Sequence, residues 1–395
     1  MHSIHDNTEI FITCPNRCQI YLQKELEDLG YEPLDSSRSG ITIKGSWNDC
    51  IRLNFHLRTA GKVLYKVSTF RAVNKDEFYV GSKAIAWEEF LDIDKEITVQ
   101  SVTNNEEIDN TMFTNLLTKD AINDRFRSKG MERLISSKEG KEAVVFVFWS
   151  SGEASIYLDT SGETIAKHGY RKISFVAPLS EALAASIIYS TQWKHDQHFI
   201  NPMCGAGTLA IEAALMATNR ANGLMRSNYS FMHFKGYDEK FYAQVREEAK
   251  RNALRSIKGK IIATDFSNEA IYNAKRNAQT AGVDHLIEFE LCNFEDTPIP
   301  EGQGVVVLNP PYGLRVGEET ELIALYKGIG DFFKQKCKGK YGYIFTGNMD
   351  LAKKIGLKAK RRIEFLNATI ECRNLEYELY DGTRAVEKVK PELES

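Results

Sequence analysis

The 395-residue chain contains no run of about 18 consecutive apolar residues, so nothing in it reads as a membrane-spanning helix. Its start, Met1 to Asp6, lacks the basic and then apolar order of a secretory leader, and cytoplasmic residence is the expectation. The seven cysteines are scattered and odd in number, which argues against a disulfide framework. Cys14 and Cys18 have the spacing of a metal half-site, but no second Cys/His pair accompanies them, and no metal is expected. A surplus of positive charge is also missing, since the formal net charge is −3. Residues 1–170 carry about 20 basic and about 26 acidic side chains, so any nucleic-acid-binding surface has to be a local patch. No low-complexity linker divides the chain, which predicts packed joints between its parts.

Apolar periodicity supplies the elements. Strands are expected at 9–13, 40–45 and 62–67 and helices at 18–29 and 47–57, a ferredoxin-like order. Residues 76–160 read as helix 78–90, strand 96–101, a polar loop 101–110, helix 111–127 and strands 142–148 and 153–159. From about residue 175 helices and strands alternate regularly. Helices are expected at 178–193, 207–218, 238–256, 268–281 and 322–337, with strands at 197–201, 260–265, 286–291, 304–309 and 339–345. This is an α/β, doubly wound layout with a mostly parallel sheet. Two further strands at 361–365 and 369–379 follow, one of them expected to lie antiparallel at the edge.

Asn201-Pro202-Met203-Cys204-Gly205-Ala206-Gly207-Thr208 follows a strand and opens a helix. Gly205 and Gly207 let the backbone approach a ligand, and the helix start offers free N–H groups. Taken alone, this could be only a tight turn. Asp265 then ends the next strand, where a carboxylate accepts ribose hydroxyl protons or caps a helix, and Asn293 follows the strand after that. A plain dinucleotide fingerprint would want a third glycine and an acid about 20 residues on. Here the acid comes much later.

Val305 to Leu308 runs straight into Asn309-Pro310-Pro311-Tyr312-Gly313. The prolines stiffen the backbone. An exocyclic amine of a base is a poor nucleophile, because its lone pair is delocalised into the ring. Hydrogen bonds from that amine to Asn309 Oδ1 and the Pro310 carbonyl would turn the lone pair toward a sulfonium methyl. Tyr312 would stack on the base and hold it out of its helix. No general base is needed, because the proton leaves after methyl transfer. Methylation at cytosine C5 would need a cysteine beside the proline, and none is there.

These segments, together with Tyr157-Leu158-Asp159-Thr160-Ser161-Gly162-Glu163, Gly169-Tyr170-Arg171 and Ala177-Pro178-Leu179-Ser180-Glu181, resemble the THUMP-domain RNA methyltransferases over nearly the whole chain. Within that family the resemblance is to the large-subunit rRNA guanine-N2 methyltransferases, relatives of which also carry the label of N6-adenine-specific DNA methylase. It implies a ferredoxin-like unit over 1–70, a THUMP domain over about 48–160 with an overlapping boundary, and a class I Rossmann-like methyltransferase domain over 161–385. It implies S-adenosyl-L-methionine as cofactor, held by Asn201, Met203, Gly205, Gly207, Thr208, Asp265, Asn293, Phe294 and Asn309. Asn309, Pro310, Pro311 and Tyr312 would be catalytic, and RNA, specifically 23S rRNA, the partner. The family usually has Asp at the positions of Asn201 and Asn293; Asn keeps an acceptor oxygen but removes the charge that attracts a cationic cofactor.

Lys167, His168, Arg171 and Lys172 bracket Tyr170 between the two large parts, a basic cluster with one ring that is expected to face RNA, the alternative being a solvated interdomain strap. The rival chemistries are an N6-adenine methyltransferase on RNA or DNA, a protein glutamine N5-methyltransferase, whose target is likewise a planar amide, and a non-catalytic RNA-binding protein. The THUMP-like front disfavours the glutamine and DNA readings, and the intact Gly205, Gly207, Asp265 and Asn309–Tyr312 disfavour the last.

Overall fold

The computed structural model describes residues 4, 6–104, 110–131, 135–136, 142–172, 179–313 and 319–380. The front half holds β1 (Thr8–Thr13), α1 (Gln19–Asp28), β2 (Pro33–Ser37), β3 (Gly40–Gly45), α2 (Trp47–His56), β4 (Lys62–Arg71), α3 (Lys75–Ala84), β5 (Glu96–Asn104), α4 (Thr111–Ser128), β6 (Ile135–Ser136), β7 (Ala143–Ser150) and β8 (Glu153–Asp159). All eight strands form one sheet, in the order β2-β3-β1-β4-β8-β7-β5-β6. Strand β4 pairs with β1 on one side and β8 on the other, so the ferredoxin-like and THUMP-like units share a strand. Alternation sets the sheet's faces. Val145, Val147 and Trp149 of β7 join Phe78 of α3 and Ile122 and Phe126 of α4 in one core, while Phe148 points to the other side. Helix α2 starts at a capping box in which Ser46 accepts from Asp49 N and Asp49 takes Ser46 N.

The back half holds α5 (Glu181–Tyr189), β9 (His198–Pro202), α6 (Thr208–Ala217), α7 (Glu239–Asn252), β10 (Ile261–Asp265), α8 (Asn268–Ala281), β11 (Ile287–Leu291), β12 (Gly304–Leu308), α9 (Glu319–Lys336), β13 (Tyr341–Thr346), β14 (Arg361–Asn367) and β15 (Ile370–Glu378). The sheet order is β11-β10-β9-β12-β13-β15-β14, with β9 to β13 parallel. Every residue of β10 and β12 is buried, because helices cover both faces. On one face Ile200, Ile262, Val306 and Ile344 pack with Phe332 and Phe333 of α9. On the other, Phe199, Ala263, Val305 and Val307 pack with residues of α5, α6 and α8.

Several expectations change. The helix expected over 78–90 ends at Ala84, and Trp87–Glu89 is a separate 3-10 turn held by the Trp87 indole donating to Ser82 O. Residues 101–104, expected as loop, continue β5 against β7 through Asn104 and Ser150; 105–109 lie outside the described residues. The strand β2 was not anticipated, since Pro33–Ser37 is almost wholly exposed and carries no apolar pattern. The antiparallel strand is not at the edge. β15 inserts between β13 and β14, and β14 forms the edge.

The stretch after α6, polar and irregular in sequence, carries the joint. Its Tyr229, Phe231 and Phe234 are buried in the front core, with Phe234 meeting Trp47 edge-on at 5.6 Å. Ser230 Oγ accepts from Val144 N, and Phe231 N donates to Thr160 O. Buried Arg58 adds hydrogen bonds to Leu215 O at 3.3 Å and Arg220 O at 2.7 Å, tying α2's end to α6's. The two halves are one packed body.

Candidate active site

The parallel strands bring the expected polar residues to one edge. Asn201 lies in β9 next to its last residue, Asp265 ends β10, Asn293 follows β11 by two residues and Asn309 follows β12 by one. This is the carboxyl edge of the sheet, on both sides of the point where the strand order reverses. The turn from β9 into α6 is strained where a ligand would lie. Met203 has φ +54°, an uncommon region for a residue with a side chain, and Gly207 has φ +81°. A Cβ on Gly207 would come within 2.9 Å of Ala274 on α8, so only glycine permits both the turn and the close helix.

Asp265 organises the turn. Its carboxylate accepts from Gly205 N at 3.0 Å and from Ser267 N at 2.9 Å. Thr208 opens α6, and Asn293 lies exposed before Phe294, whose ring meets Phe332 edge-on at 5.9 Å. Asn201 is 1% exposed, and its Nδ2 donates to Val307 O at 2.8 Å. That bond ties the end of β9 to β12, the strand that runs into Asn309. An aspartate in its place could not make it, because a carboxylate has no proton to give.

Among the described residues, the buried acceptors Asn201 Oδ1 and Asn309 Oδ1 at this edge have no hydrogen-bond partner. A buried polar atom left unpaired costs free energy, so both are poised for a donor or cation from a ligand. After Asn309, Pro310 is buried, Pro311 exposed and Tyr312 half-buried. Tyr312 Oη accepts from Asn367 Nδ2 at 2.9 Å. Burial pushes the phenol up to about 12, against the lowering effect of the Asn367 bond, so it stays neutral through the physiological range.

The basic cluster divides. Lys167 and Lys172 are exposed, on a groove of about 630 Å³ shared with Arg226 and Asn228. Tyr170 is not a stacking ring for RNA: it is 0% exposed and donates to Glu212 Oε1 at 2.8 Å. Arg171 is also spoken for, by Thr208 Oγ1 at 3.1 Å, the Leu179 carbonyl and Glu181 at 3.5 Å. Their neighbour His168 explains the arrangement. It lies between Glu212 Oε1 at 2.7 Å and Arg58 O at 2.9 Å, so this segment is an interdomain strap in which His168, Tyr170 and Arg171 turn their polar groups inward while Lys167 and Lys172 stay outside. Residues 173–178, which include part of the Ala177–Glu181 motif, lie outside the described residues.

Three residues of this edge were not anticipated. Phe266, after Asp265, is 74% exposed, an aromatic ring left bare at the strand end with its flat face open to stacking. Its only sequence signal is its adjacency to Asp265, since an isolated Phe before a helix reads as core. Asn277 of α8 is buried and donates to Ala206 O at 3.2 Å while accepting from Lys172 N at 3.2 Å, joining strap and turn. Asn367 lies 55 positions from the tyrosine it holds, and no local pattern announces it.

Comparison with known proteins agrees with this geometry. Residues 168–376 match the family described as RMKL-like, methyltransferase domain; 9–64 match the RlmL ferredoxin-like domain and 72–159 the THUMP domain. The chain is 34% identical to Ribosomal RNA large subunit methyltransferase K/L of Psychromonas ingrahamii, over 93% of this chain and 49% of that protein. A Synechocystis sp. protein, slr0064, is 30% identical over 94% of this chain and 96% of its own length. The chain spans about half the length of the K/L relatives it matches. Among solved structures, SMU.472 complexed with SAH superposes with a TM-score of 0.88 at 26% identity, covering 97% of this chain and 100% of that one. A Clostridium difficile 630 protein superposes with a TM-score of 0.88 at 30% identity, covering 96% of this chain and 100% of that one. The match over residues 168–376, behind matched ferredoxin-like and THUMP domains, places the chain in the RMKL-like methyltransferase family.

Proposed function

We propose that this chain is an S-adenosylmethionine-dependent RNA methyltransferase that methylates N2 of a guanosine in 23S rRNA. The observation that carries the reading is the pair of buried, unpartnered acceptors, Asn201 Oδ1 and Asn309 Oδ1, on one sheet edge joined through the Asn201–Val307 hydrogen bond. When bound, S-adenosylmethionine supplies an electrophilic methyl on a sulfonium. Asp265 would accept the ribose hydroxyls, the turn from Met203 to Thr208 would wrap the amino-acid end, and Phe266, Asn293 and Phe294 would border the base. Asn201 would give a neutral acceptor where charge is absent.

Asn309 Oδ1 and the Pro310 carbonyl would take the two protons of the target amine. This turns its lone pair out of conjugation and toward the methyl, an interaction stronger in the transition state than in the ground state. Tyr312 would carry the base on its ring. An RNA substrate is supported by the THUMP match and by the name of the K/L relatives, ribosomal RNA large subunit methyltransferase. A large-subunit rRNA follows the same relatives, while guanine N2 and 23S rRNA follow the chain's resemblance to the large-subunit rRNA guanine-N2 methyltransferases. Lys167 and Lys172 are the exposed cations of the strap proposed to meet RNA phosphates.

Titration calorimetry with S-adenosylhomocysteine should give a dissociation constant in the micromolar range, and no heat at millimolar ligand would end the methyltransferase reading. Nucleoside mass spectrometry of rRNA from a deletion strain should lose one N2-methylguanosine. Loss of only N6-methyladenosine would overturn the guanine assignment.

A further inference from the structure

We propose that the ferredoxin-like front unit positions Tyr312 through a column of packed rings and the β14–β15 turn, making Tyr21 and Asn367 positioning residues of the reaction. The inference rests on the reading of Tyr312 as the ring that carries the target base.

The column starts on α1. Tyr21 is stacked on Phe365 of β14, with centroids 5.6 Å apart and planes at 12°. Phe365 meets Phe345 of β13 edge-on at 5.9 Å, and Phe345 meets Tyr312 edge-on at 6.5 Å. Tyr21, Phe365 and Phe345 are all buried. Four rigid rings therefore run from the first helix of the front unit to the motif after β12. Interiors packed at crystal density transmit displacement, so a shift of α1 reaches Tyr312.

The turn is the second contact. Asn367 Nδ2 donates to Tyr312 Oη, and Cys372 Sγ lies 3.8 Å from the same oxygen. Cys372 is the register partner of Phe365, so column and turn belong to one rigid hairpin. Gly347, just past β13, completes the seat: a Cβ there would come 3.1 Å from the Tyr312 ring, so the ring lies against bare backbone. From the front unit, Arg17 reaches across the hairpin to Glu364 at 3.3 Å and Glu371 at 2.7 Å. Those carboxylates are exposed and screened, which leaves the coupling to the rings.

The front unit is thus part of the catalytic apparatus as well as a tether. A base misplaced by about 1 Å costs about a hundredfold in rate, so a loosened Tyr312 should be visible in turnover before binding changes. The test uses the full chain with 3-fluorotyrosine at position 312 and, as substrate, protein-free large-subunit rRNA from a strain lacking the gene. Tyr21→Ala (Tyr21→Leu if the first folds poorly) should move the fluorine resonance and lower the methyl-transfer rate about tenfold. The KM for RNA and the S-adenosylhomocysteine affinity should stay within about twofold. Tyr21→Phe should restore both signal and rate. Asn367→Ala should cost about tenfold in the native background and nothing further in a Tyr312→Phe background.

A fluorine signal unmoved by Tyr21→Ala overturns the column, and so does a rate loss matched by lost cofactor affinity. Equal Asn367→Ala losses in both backgrounds overturn the turn contact. If the unaltered protein leaves that rRNA unmethylated, the proposed function has failed, while the fluorine signal still decides whether α1 sets Tyr312.

Discussion

Strand β7 of the front sheet alternates, sending Val145, Val147 and Trp149 into the helix-covered core and leaving Phe148 46% exposed. In the back sheet β10 and β12 are buried at every residue. A sheet covered on one side keeps a whole face to spend on contacts. A sheet covered on both sides has only its strand ends, and the back half places Asn201, Asp265 and Asn309 there. The joint between the halves behaves like core, because Tyr229, Phe231 and Phe234 of the back half finish the front one. The front sheet is therefore completed by the domain it precedes.

The largest expected effect tests that completion. Phe231→Ala removes a fully buried ring from the shared core and should cost about 3–5 kcal/mol in denaturant unfolding. Two separate transitions in the unaltered protein would show that the halves fold independently. Asn309→Ala should lower methyl transfer about 10²–10³-fold, as loss of one preorganised transition-state partner does, with little change in melting temperature. A fall below tenfold would move the reacting centre elsewhere on the edge.

The contrast between the sheets can be sharpened by a matched pair. Val306→Ala, in a strand covered on both faces, should destabilise by about 2 kcal/mol, and Phe148→Ser, on the open face, by at most about 0.5 kcal/mol. Equal costs would mean that the front sheet's second face is covered in solution.

The smallest effect concerns the strap. Burial disfavours a charge on His168, but the charge and hydrogen bond of Glu212 outweigh it and raise its pKa above the usual 6.5. The geometry agrees: both ring nitrogens face acceptors, Glu212 Oε1 and Arg58 O, which only the doubly protonated ring can serve. A raised folded pKa gives stability that is fully present below about pH 6.5 and is lost as pH climbs through the folded value. Melting temperatures should therefore fall on that alkaline side, and His168→Gln should flatten the decline. A curve unchanged by the substitution would remove His168 from the joint.

Much of this was legible along the chain, for a local reason. Strand-to-turn junctions carry their chemistry in adjacent residues, so Asn201–Thr208, Asp265 and Asn309–Tyr312 announce a sheet-edge site without coordinates. The regular alternation of helices and strands from about residue 175 also announces a mostly parallel sheet, whereas β7, apolar from Ala143 to Trp149, shows its two faces only in its burial. Other features depend on what lies across the fold. Tyr170 and Arg171 look like an RNA-facing pair until Glu212, Thr208 and Leu179 arrive from distant positions to take their polar groups. The polar stretch after α6 hides its packing aromatics because they fill a core made by another part of the chain. Asn367 under Tyr312, the rings from Tyr21 to Phe345 and the amide of Asn201 on Val307 O are long-range pairings with no periodicity to mark them. The sequence by itself determined the sheet types and the chemistry available at the edge, because both follow from neighbouring residues. The tertiary structure alone decided which cations stay exposed and what holds Tyr312, because the first depends on the docking of the two halves and the second on the β14–β15 hairpin folding back onto its own sheet.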